Sequence, residues 1–304
     1  MAIIKVNRVL ILGGTGFIGT HLIKRLIKDN YEIDCILYKS KRKIVNKKVN
    51  YFKLNLKNNN LLKKKLKKNY DYVINLMGYI DHSNSLNSSN YILNAHFFYL
   101  THIINLLLKK NNIKCFVNIG SSDEYGLQSS PQNESMREMP ETFYSLGKTC
   151  STHFLLTMNK VFKFPCVILR LFIAYGPFQS EERLIPYIIK NCLQNKKFYI
   201  KKKSVIRDFC FIDDVIEAIL ILMKSKNCHG NIFNIGYGKG YKVSDLVKKI
   251  QNYCKGGKAV FIKGLSKKKD KKVANISKIT TFTKWKPKVN LNEGLKRTIN
   301  YYKI

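Results

Sequence analysis

Short apolar runs alternate with amphipathic stretches along the first 170 residues of the chain. The apolar runs predict buried strands, and the stretches in which apolar residues recur every three to four positions predict helices. The predicted strands are 8–12, 33–38, 49–54, 72–76, 115–119 and 167–172, and the predicted helices are 17–27, 60–68, 91–110 and 143–163. This alternation predicts an α/β fold, a doubly wound parallel sheet with helices on both faces.

The last third of the chain has shorter and more mixed elements. Its predicted helices are 184–193, 213–224 and 243–253, and its predicted strands are 198–202, 205–211 and 231–235. The lysine-rich segment 267–272 is predicted to be an exposed loop. We therefore expect two domains, a first of residues 1–170 with a return at about 205–235, and a smaller α/β C-terminal lobe of residues 171–204 and 236–304.

The formal net charge is +36, and 47 of the 55 basic residues are lysine. Asparagine and isoleucine are frequent too, and A/T-rich codons explain the high frequencies of lysine, asparagine and isoleucine together. We therefore interpret the charge as a solvated coat of lysines on the surface. Nucleic-acid binding is the alternative. The eight cysteines and six histidines show no metal-ligand spacing, which predicts reduced thiols and no metal. With no signal-peptide pattern and no apolar run near the roughly 20 residues of a membrane helix, we expect a cytoplasmic protein without membrane segments.

A glycine-rich turn, residues 13–19, directly follows the first predicted strand and opens the first predicted helix. Its three spaced glycines suit a tight turn, a close approach of backbone amides to a pyrophosphate, and close packing of helix on strand. The helix N-terminus adds positive potential for the phosphates. The predicted dinucleotide-binding residues of this turn are Gly13, Thr15, Gly16, Phe17, Ile18 and Gly19.

The turn after the second predicted strand bears on which dinucleotide binds. It has no carboxylate that could hold the 2′-hydroxyl of NAD, and it contains Lys39, Ser40 and Arg42 instead. A basic, hydroxyl-rich turn favours a 2′-phosphate. We therefore expect NADP(H), with NAD(H) as the alternative.

Tyr144 and Lys148 are one helical turn apart on one face of a predicted helix. An ammonium group beside a phenol lowers the phenol pKa from about 10 toward neutrality, which makes Tyr144 a candidate acid/base for a hydroxyl/carbonyl pair. The predicted strand 115–119 leads into Ser121, Ser122 and Asp123. Open α/β sheets place their sites at such C-terminal strand ends.

Four further segments, 169–177, 207–214, 234–236 and 285–287, complete a pattern that covers nearly the whole chain. With the glycine turn and the Tyr-x-x-x-Lys motif, it resembles the extended short-chain dehydrogenases/reductases of the nucleotide-sugar epimerase/dehydratase family. The resemblance implies a Rossmann-type NAD(P)-binding domain and a lobe that binds a nucleoside-diphosphate sugar. It also implies a homodimer formed through the helices near 91–110 and 143–163, and a role in surface-polysaccharide biosynthesis.

The resemblance assigns roles to individual residues. Tyr144 would be the catalytic acid/base, Lys148 would bind the nicotinamide ribose and tune Tyr144, and Ser121 would hydrogen-bond the reacting oxygen. The remaining implied positions are Asn94 as the family's helix asparagine, Lys39, Arg42 and Asn55 at the adenosine end of the cofactor, and Ser122, Asp123, Arg183 and Arg207 at the sugar nucleotide.

Three departures from the family pattern bear on the reaction. Dehydratases of the family carry Asp-Glu directly after the catalytic Thr, whereas an ungapped alignment gives Ser122 and Asp123 here. A shift by one residue would match Ser122, Asp123 and Glu124 but needs a deletion, so the dehydratase interpretation is weakened. Ile173 replaces an Asn commonly found near the substrate phosphates, and the missing second-strand acid departs from tightly NAD-bound epimerases.

The reaction that the family shares is hydride transfer at a sugar carbon, usually C4, with proton transfer by the tyrosine and charge stabilisation by the serine. An epimerase, a dehydratase and an NADPH-dependent 4-keto-sugar reductase share this core, and the sequence leaves the three open. A non-catalytic or RNA-binding member of the fold, using the +36 surface, is the alternative from another class.

Overall fold

The computed structural model describes residues 6–37, 44–53, 69–78, 85–108, 113–201, 204–262 and 270–303. The strands are β1 Arg8–Leu12, β2 Glu32–Leu37, β3 Val49–Lys53, β4 Tyr72–Asn75, β5 Cys115–Ser121, β6 Cys166–Leu171, β7 Ile173–Tyr175, β8 Lys197–Ile200, β9 Ile206–Phe211, β10 Asn231–Ile235, β11 Gly240–Lys242, β12 Lys258–Phe261 and β13 Lys271–Lys272. The helices are α1 Phe17–Lys28, α2 Leu86–Leu93, α3 Tyr99–Leu108, α4 Phe143–Phe162, α5 Leu184–Leu193, α6 Ile212–Lys224, α7 Val243–Cys254, α8 Ser277–Thr283 and α9 Leu291–Tyr302. Three short turns complete the set, a π-helical turn Asn94–Phe98 and 3-10 turns at Ser122–Tyr125 and Lys226–Cys228.

A seven-stranded sheet in the order β10-β6-β5-β4-β1-β2-β3 is the centre of the fold. The pairings of β1 with β2 and β4, of β2 with β3, and of β4 with β5 are all parallel. Chain order reverses direction between β1 and β4, and the carboxyl ends of strands at such a switch point border the ligand crevice of open α/β sheets. The predicted doubly wound α/β fold is confirmed.

Apolar strands build the core of this sheet. Every residue of β5 is buried, and Val9–Leu12 of β1 have no measurable exposure. Strands with apolar side chains on both faces need cover on both faces, which amphipathic helices supply. On α1 the residues Leu22, Ile23 and Leu26 are buried, and they recur at helical spacing.

The helical segment Leu86–Leu108 is, among the described residues, long and apolar enough to cross a membrane by length and composition. It runs through α2, the π-helical turn and α3. It is longer than any apolar run noted from the sequence. In this structure its residues Leu100, Ile103, Ile104 and Leu107 are fully buried in one cluster with strand residues such as Phe116. One face of α3 therefore packs into the core, whereas Leu86 and Phe98 of the same segment are exposed.

The chain divides into two compact units. Unit 1 comprises Met1–Gly126, Arg137–Arg170 and Ala218–Phe233; unit 2 comprises Leu127–Met136, Leu171–Glu217 and Asn234–Ile304. The assignment of a cofactor to one part of the chain and a substrate to the other stays a prediction.

Strand β9 organises unit 2. It pairs with β11 in antiparallel and with β7 and β13 in parallel orientation. The buried carboxylate of Asp208 on β9 accepts hydrogen bonds from the backbone N–H groups of Tyr237 (2.6 Å), Gly238 (2.8 Å) and Ala274 (3.1 Å). One side chain thus fixes two loops against the strand.

The prediction of a loop at 267–272 is wrong at its end, because Lys271–Lys272 form β13 beside Ile206 and Arg207. The hydrogen bonds of this strand come from the backbone, so a run of lysines gives no sign of them. Residues 267–269 lie outside the described residues.

Candidate active site

The glycine turn between β1 and α1 has the shape that a dinucleotide-binding loop needs. Gly13 has φ +78°, a conformation that favours glycine, and a Cβ on Gly19 would lie 2.3 Å from the carbonyl oxygen of Gly14. A Cβ on Gly16, in contrast, would meet only the Gly13 oxygen, at 3.9 Å. Two glycines are therefore required by the packing of the loop itself, whereas Gly16 leaves space open above the turn.

The residues around Gly16 fit the phosphates of a dinucleotide. Gly16 is the N-cap of α1, so no side chain competes for the first N–H groups of the helix, and the first turn of α1 contains no acidic residue. Helix N-termini of this kind bind anions through their N–H groups and positive potential. The predicted contacts of Lys39, Arg42 and Asn55 lie outside the described residues and stay predictions.

Tyr144 and Lys148 lie in the first two turns of α4. The helix begins after Thr142, whose hydroxyl accepts a hydrogen bond from Ser145 N (3.1 Å) while the Ser145 hydroxyl accepts one from Thr142 N (2.9 Å). This reciprocal capping fixes the start of the helix and hence the direction of both side chains. Tyr144 is 7% exposed and Lys148 is 6% exposed, so both functional groups are held inside unit 1.

Lys148 is anchored to the carboxyl end of β5. Its Nζ donates a hydrogen bond to the carbonyl oxygen of Ile119 (2.7 Å) and lies 3.5 Å from that of Met77. Burial lowers the pKa of Lys148 to about 8, and the negative charge of Glu124 works against this lowering. The ammonium ion of Lys148 is thus held at the strand end that leads into Ser121.

Ser121 ends β5 and caps the 3-10 turn that follows it. Its hydroxyl accepts a hydrogen bond from Asp123 N (3.1 Å), and its own N–H donates to Oε1 of Glu124 (2.8 Å). Ser121 and Ser122 are both buried, whereas Asp123 is half-buried. The sheet topology therefore brings the predicted serine and Lys148 to the same strand end, as the sequence pattern indicated.

Glu124 is completely buried and satisfied by protein groups. Its second oxygen, Oε2, accepts hydrogen bonds from Thr152 Oγ1 (2.9 Å) on α4 and from Arg170 Nε (3.0 Å) on β6. The shifted alignment would make Glu124 an acid for elimination at the substrate. The structure gives this carboxylate another task, because both oxygens are already engaged away from solvent.

Arg170 is a buried residue of this site for which the sequence analysis predicted no role. Its side chain has no exposure, it ion-pairs with Glu124 and Glu138, and its guanidinium lies 4.6 Å from the ring centre of Tyr125. Burial alone would lower the pKa of Arg170, but the Glu124 carboxylate raises it above its ordinary value. The Leu-Arg-Leu pattern of β6 could have indicated it, since a charge inside a buried strand needs a partner.

His96 is a second residue that sequence reasoning missed. It is buried in the π-helical turn, and its ring contacts the Tyr144 ring edge-on with centroids 5.0 Å apart. A Cβ on Gly78 would lie 2.4 Å from the His96 ring, and one on Gly147 would lie 3.0 Å from its Cβ. Both glycines are thus needed to admit the imidazole beside Tyr144. Helical periodicity cannot locate it, because the π-turn breaks that period.

The predicted sugar-nucleotide arginines lie in unit 2. Arg183 is the exposed N-cap residue of α5, while the guanidinium of Arg207 donates to Asp270 Oδ2 at 2.7 Å. Ile173 begins β7 in the same unit. Asn94 starts the π-helical turn in unit 1 and donates its side-chain amide to Asn90 O at 2.6 Å, so its amide caps its own helix.

All eight cysteines are free thiols, and six of them are buried. Within the part of the chain that the structure describes, no group of three or more His, Cys, Asp or Glu side chains could hold a metal ion.

Comparisons with known proteins identify the family of the chain. The model of the NAD dependent epimerase/dehydratase family matches residues 9–236. A provisionally named UDP-glucose 4-epimerase of Methanocaldococcus jannaschii is 27% identical over 303 residues, covering 97% of this chain and 98% of the relative. Human dTDP-D-glucose 4,6-dehydratase is 26% identical over 323 residues, covering 98% of this chain and 90% of the relative.

Solved structures give the same result for the fold. The epimerase Mth375 of Methanothermobacter thermautotrophicus superposes with a TM-score of 0.91 at 20% identity, over 98% of this chain and 93% of its own. UDP-glucuronic acid 4-epimerase of Bacillus cereus, solved with UDP-glucuronic acid and NAD, gives a TM-score of 0.87 at 25% identity, over 97% and 99%. The chain belongs to the NAD dependent epimerase/dehydratase family, and it is an NAD(P)-dependent enzyme of the extended short-chain dehydrogenase/reductase type.

Proposed function

We propose that the enzyme epimerises a nucleoside-diphosphate sugar at C4, with Tyr144 as the acid/base, in the supply of sugars for surface polysaccharides. The observation that carries this proposal is the pairing of two buried side chains, Tyr144 and Lys148, one turn apart on α4. Lys148 is tied to Ile119 O at the end of β5, two residues before Ser121. An ammonium ion and a hydroxyl at one strand end, with a phenol one helical turn from that lysine, suit reversible oxidation of an alcohol.

The proposed chemistry assigns one task to each of these groups. A dinucleotide held at the glycine turn by Gly13, Gly16 and Gly19 would supply the hydride acceptor and donor for C4. Tyr144, as phenolate, takes the proton of the C4 hydroxyl while the C–H bond breaks, and the charge of Lys148 favours that phenolate. Ser121 donates a hydrogen bond to the reacting oxygen. Addition of hydride to the opposite face of C4 of the resulting 4-keto sugar, with return of the proton from Tyr144 to the C4 oxygen, would give the epimer.

Glu124 argues against a dehydratase. Elimination of water from C5 and C6 would need a carboxyl group able to exchange protons with the substrate. Glu124 instead binds Ser121 N, Thr152 and Arg170 with no exposure. In the ungapped alignment Ser122 and Asp123 occupy the positions of the dehydratase pair, so that pair is incomplete.

An NADPH-dependent reductase of 4-keto sugars is the second candidate function. The basic turn with Lys39 and Arg42 favours NADP(H), and a reductase exchanges its cofactor at each turnover. Identifying the nucleotide released by denatured protein, and comparing NADPH with NADH binding, separates the two. Retained NAD supports the epimerase, whereas an empty site that prefers NADPH supports the reductase.

The direct test is turnover of UDP-glucose, UDP-glucuronic acid and UDP-N-acetylglucosamine, followed by NMR at the C4 proton. Tyr144→Phe should abolish epimerisation and leave cofactor binding nearly intact, because only the proton carrier is lost. Tyr199→Phe, at a half-exposed tyrosine of β8, is the matched control and should leave turnover unchanged. Full turnover by Tyr144→Phe would contradict the assignment.

We propose in addition that two copies of the chain associate through the helices near 91–110 and 143–163. Several large apolar side chains of these helices are exposed, Phe98 at 53%, Leu146 at 38%, Val161 at 60% and Phe162 at 64%. Light scattering should give twice the chain mass, and Phe98→Glu together with Phe162→Glu should give a monomer. A monomeric parent protein would refute this proposal.

A further inference from the structure

Glu124 joins three parts of the candidate site through one carboxylate. Oε1 accepts the N–H of Ser121, Oε2 accepts the hydroxyl of Thr152, and Oε2 also accepts Nε of Arg170, all within 3.0 Å. Thr152 lies one turn beyond Lys148 on the same face of α4. The carboxylate therefore connects the end of β5, the lysine-bearing face of α4 and strand β6.

The backbone is adapted to bring this carboxylate back onto its own strand. A Cβ on Gly120 would lie 2.5 Å from Oε1 of Glu124, so a side chain at position 120 would displace the carboxylate. Ser121 and Glu124 also form a reciprocal cap of the 3-10 turn between them. The conformation of Ser121 is hence set by a contact that depends on both Gly120 and Glu124.

The net charge of Glu124 and its neighbours affects the protonation of Lys148. Arg170 lies between Glu124 and Glu138, so these three groups together carry one net negative charge. His153 on α4 is 3.2 Å from Glu138, but it is more than half exposed and adds a positive charge only when protonated. The side chains that donate to Glu124 are Arg170 from β6 and Thr152 from α4, and Lys148 lies one turn before Thr152 on α4. Lys148 is the counter-charge that makes the set neutral.

We propose that Glu124 is a positioning residue that fixes Ser121 for the reacting oxygen and supplies the negative charge that keeps the buried Lys148 protonated. This inference deepens the proposed function and rests on it for the role of Ser121. Its electrostatic part stands on geometry: Lys148 donates to Ile119 O, two residues before Ser121, whose N–H donates to Glu124, and Thr152, which also donates to Glu124, lies one turn beyond Lys148 on α4. The opposing effects of burial and of Glu124 on the pKa of Lys148 agree with it.

The test measures the ionisation of Lys148 without using turnover. The free energy of unfolding is compared between the parent protein and Lys148→Met from pH 6 to pH 10, once with Glu124 present and once in the Glu124→Gln background. In each background, the difference in unfolding free energy between the Lys148 protein and its Lys148→Met variant is plotted against pH. The slope of this plot changes at the pKa of Lys148 in the folded state, and we call this change of slope the bend. With Glu124 present the bend should lie near pH 8, and with Glu124→Gln it should move down by about one pH unit, the effect of losing a nearby opposite charge.

A matched control separates this effect from general loss of charge. Glu141→Gln removes an exposed carboxylate just before α4, and the bend should stay near pH 8 because solvent screens that charge. If Glu124→Gln alone does not fold, the bend of the Glu124→Gln, Arg170→Met protein is compared with that of Arg170→Met, so that the two backgrounds differ only in the charge of Glu124, and the same downward shift is expected between them. A bend at the same pH in both backgrounds overturns the proposal.

Turnover distinguishes this inference from the proposed function. If the parent protein epimerises UDP-sugars, Glu124→Gln should lower kcat at least tenfold with little change in KM, and the alkaline limb of its pH profile should shift with the bend. A shifted bend in a protein without epimerase activity would refute the proposed function and the role of Ser121, and would leave the electrostatic role of Glu124 supported.

Discussion

Replacing Lys148 by methionine should make the protein more stable while removing its activity. Burial lowers the pKa of this lysine from the ordinary 10.5 to about 8, so the folded state binds its proton less tightly than the unfolded chain does. At pH 7 that difference costs the folded state about 3 kcal/mol. Methionine has a similar length and no charge, so Lys148→Met removes this cost.

The gain in stability expected for Lys148→Met is reduced by the loss of one hydrogen bond. The carbonyl oxygen of Ile119 loses its 2.7 Å donor when Lys148 is replaced, and an unsatisfied buried carbonyl costs about 1–2 kcal/mol. The expected net result at pH 7 is a protein more stable by about 1–2 kcal/mol. Urea unfolding followed by circular dichroism measures it, and Lys160→Met, at an exposed position of the same helix, should change the stability by less than about 0.5 kcal/mol.

The dependence on pH tests the cause of the gain. Below pH 8 Lys148 is charged in both the folded and the unfolded protein, so the full cost applies. Between pH 8 and pH 10.5 the folded protein releases the proton first, and the advantage of Lys148→Met should shrink as the pH rises. A Lys148→Met protein that is less stable than its parent by a constant amount at every pH would refute the reasoning.

Three substitutions and one binding measurement give the remaining predictions. Gly19→Ala places a Cβ 2.3 Å from the Gly14 carbonyl oxygen and should cost about 3 kcal/mol in urea unfolding. Gly16→Ala has open space and should change the stability by less than about 1 kcal/mol while weakening cofactor binding in titrations; equal losses for the two glycines would contradict the loop geometry. Asp214→Ala removes the acceptor of Lys288 N and Val289 N and should cost about 2–4 kcal/mol, whereas a cost below about 1 kcal/mol would show that water replaces it. RNA binding to the +36 surface should be sequence-independent and fall at least a hundredfold between about 50 and 200 mM salt; tight, sequence-selective binding would contradict our interpretation of the charge.

The sequence pattern predicted the strands and helices whose bounds follow from their buried apolar residues alone. Strand 8–12 and helix 184–193 have the predicted bounds, because an apolar run or an apolar helical stripe identifies them directly. Strands β11 and β13, of three and two residues, are too short for a period, and their backbone pairing with β9 gives them their structure. The predicted helix 60–68 lies outside the described residues.

The residues of the candidate site likewise include some that a local sequence pattern predicts and others that it does not. Tyr144 and Lys148 follow from a four-residue spacing, and the serine follows from the end of a buried strand. The task of Glu124 depends on Thr152 and Arg170, which lie 28 and 46 residues away along the chain. No local sequence pattern relates these positions to one another. His96 is also not predicted by the spacing of an α-helix, because it lies in a π-helical turn.

The path of the chain through the two units limits how the protein can be divided. The chain passes from one unit to the other after Gly126, Met136, Arg170, Glu217 and Phe233, so neither unit is a continuous segment. A fragment that ends at residue 170 would lack β10, and β6 would become an exposed edge of the large sheet that invites aggregation. Exchange of a single contiguous gene segment between relatives therefore cannot transfer either unit intact.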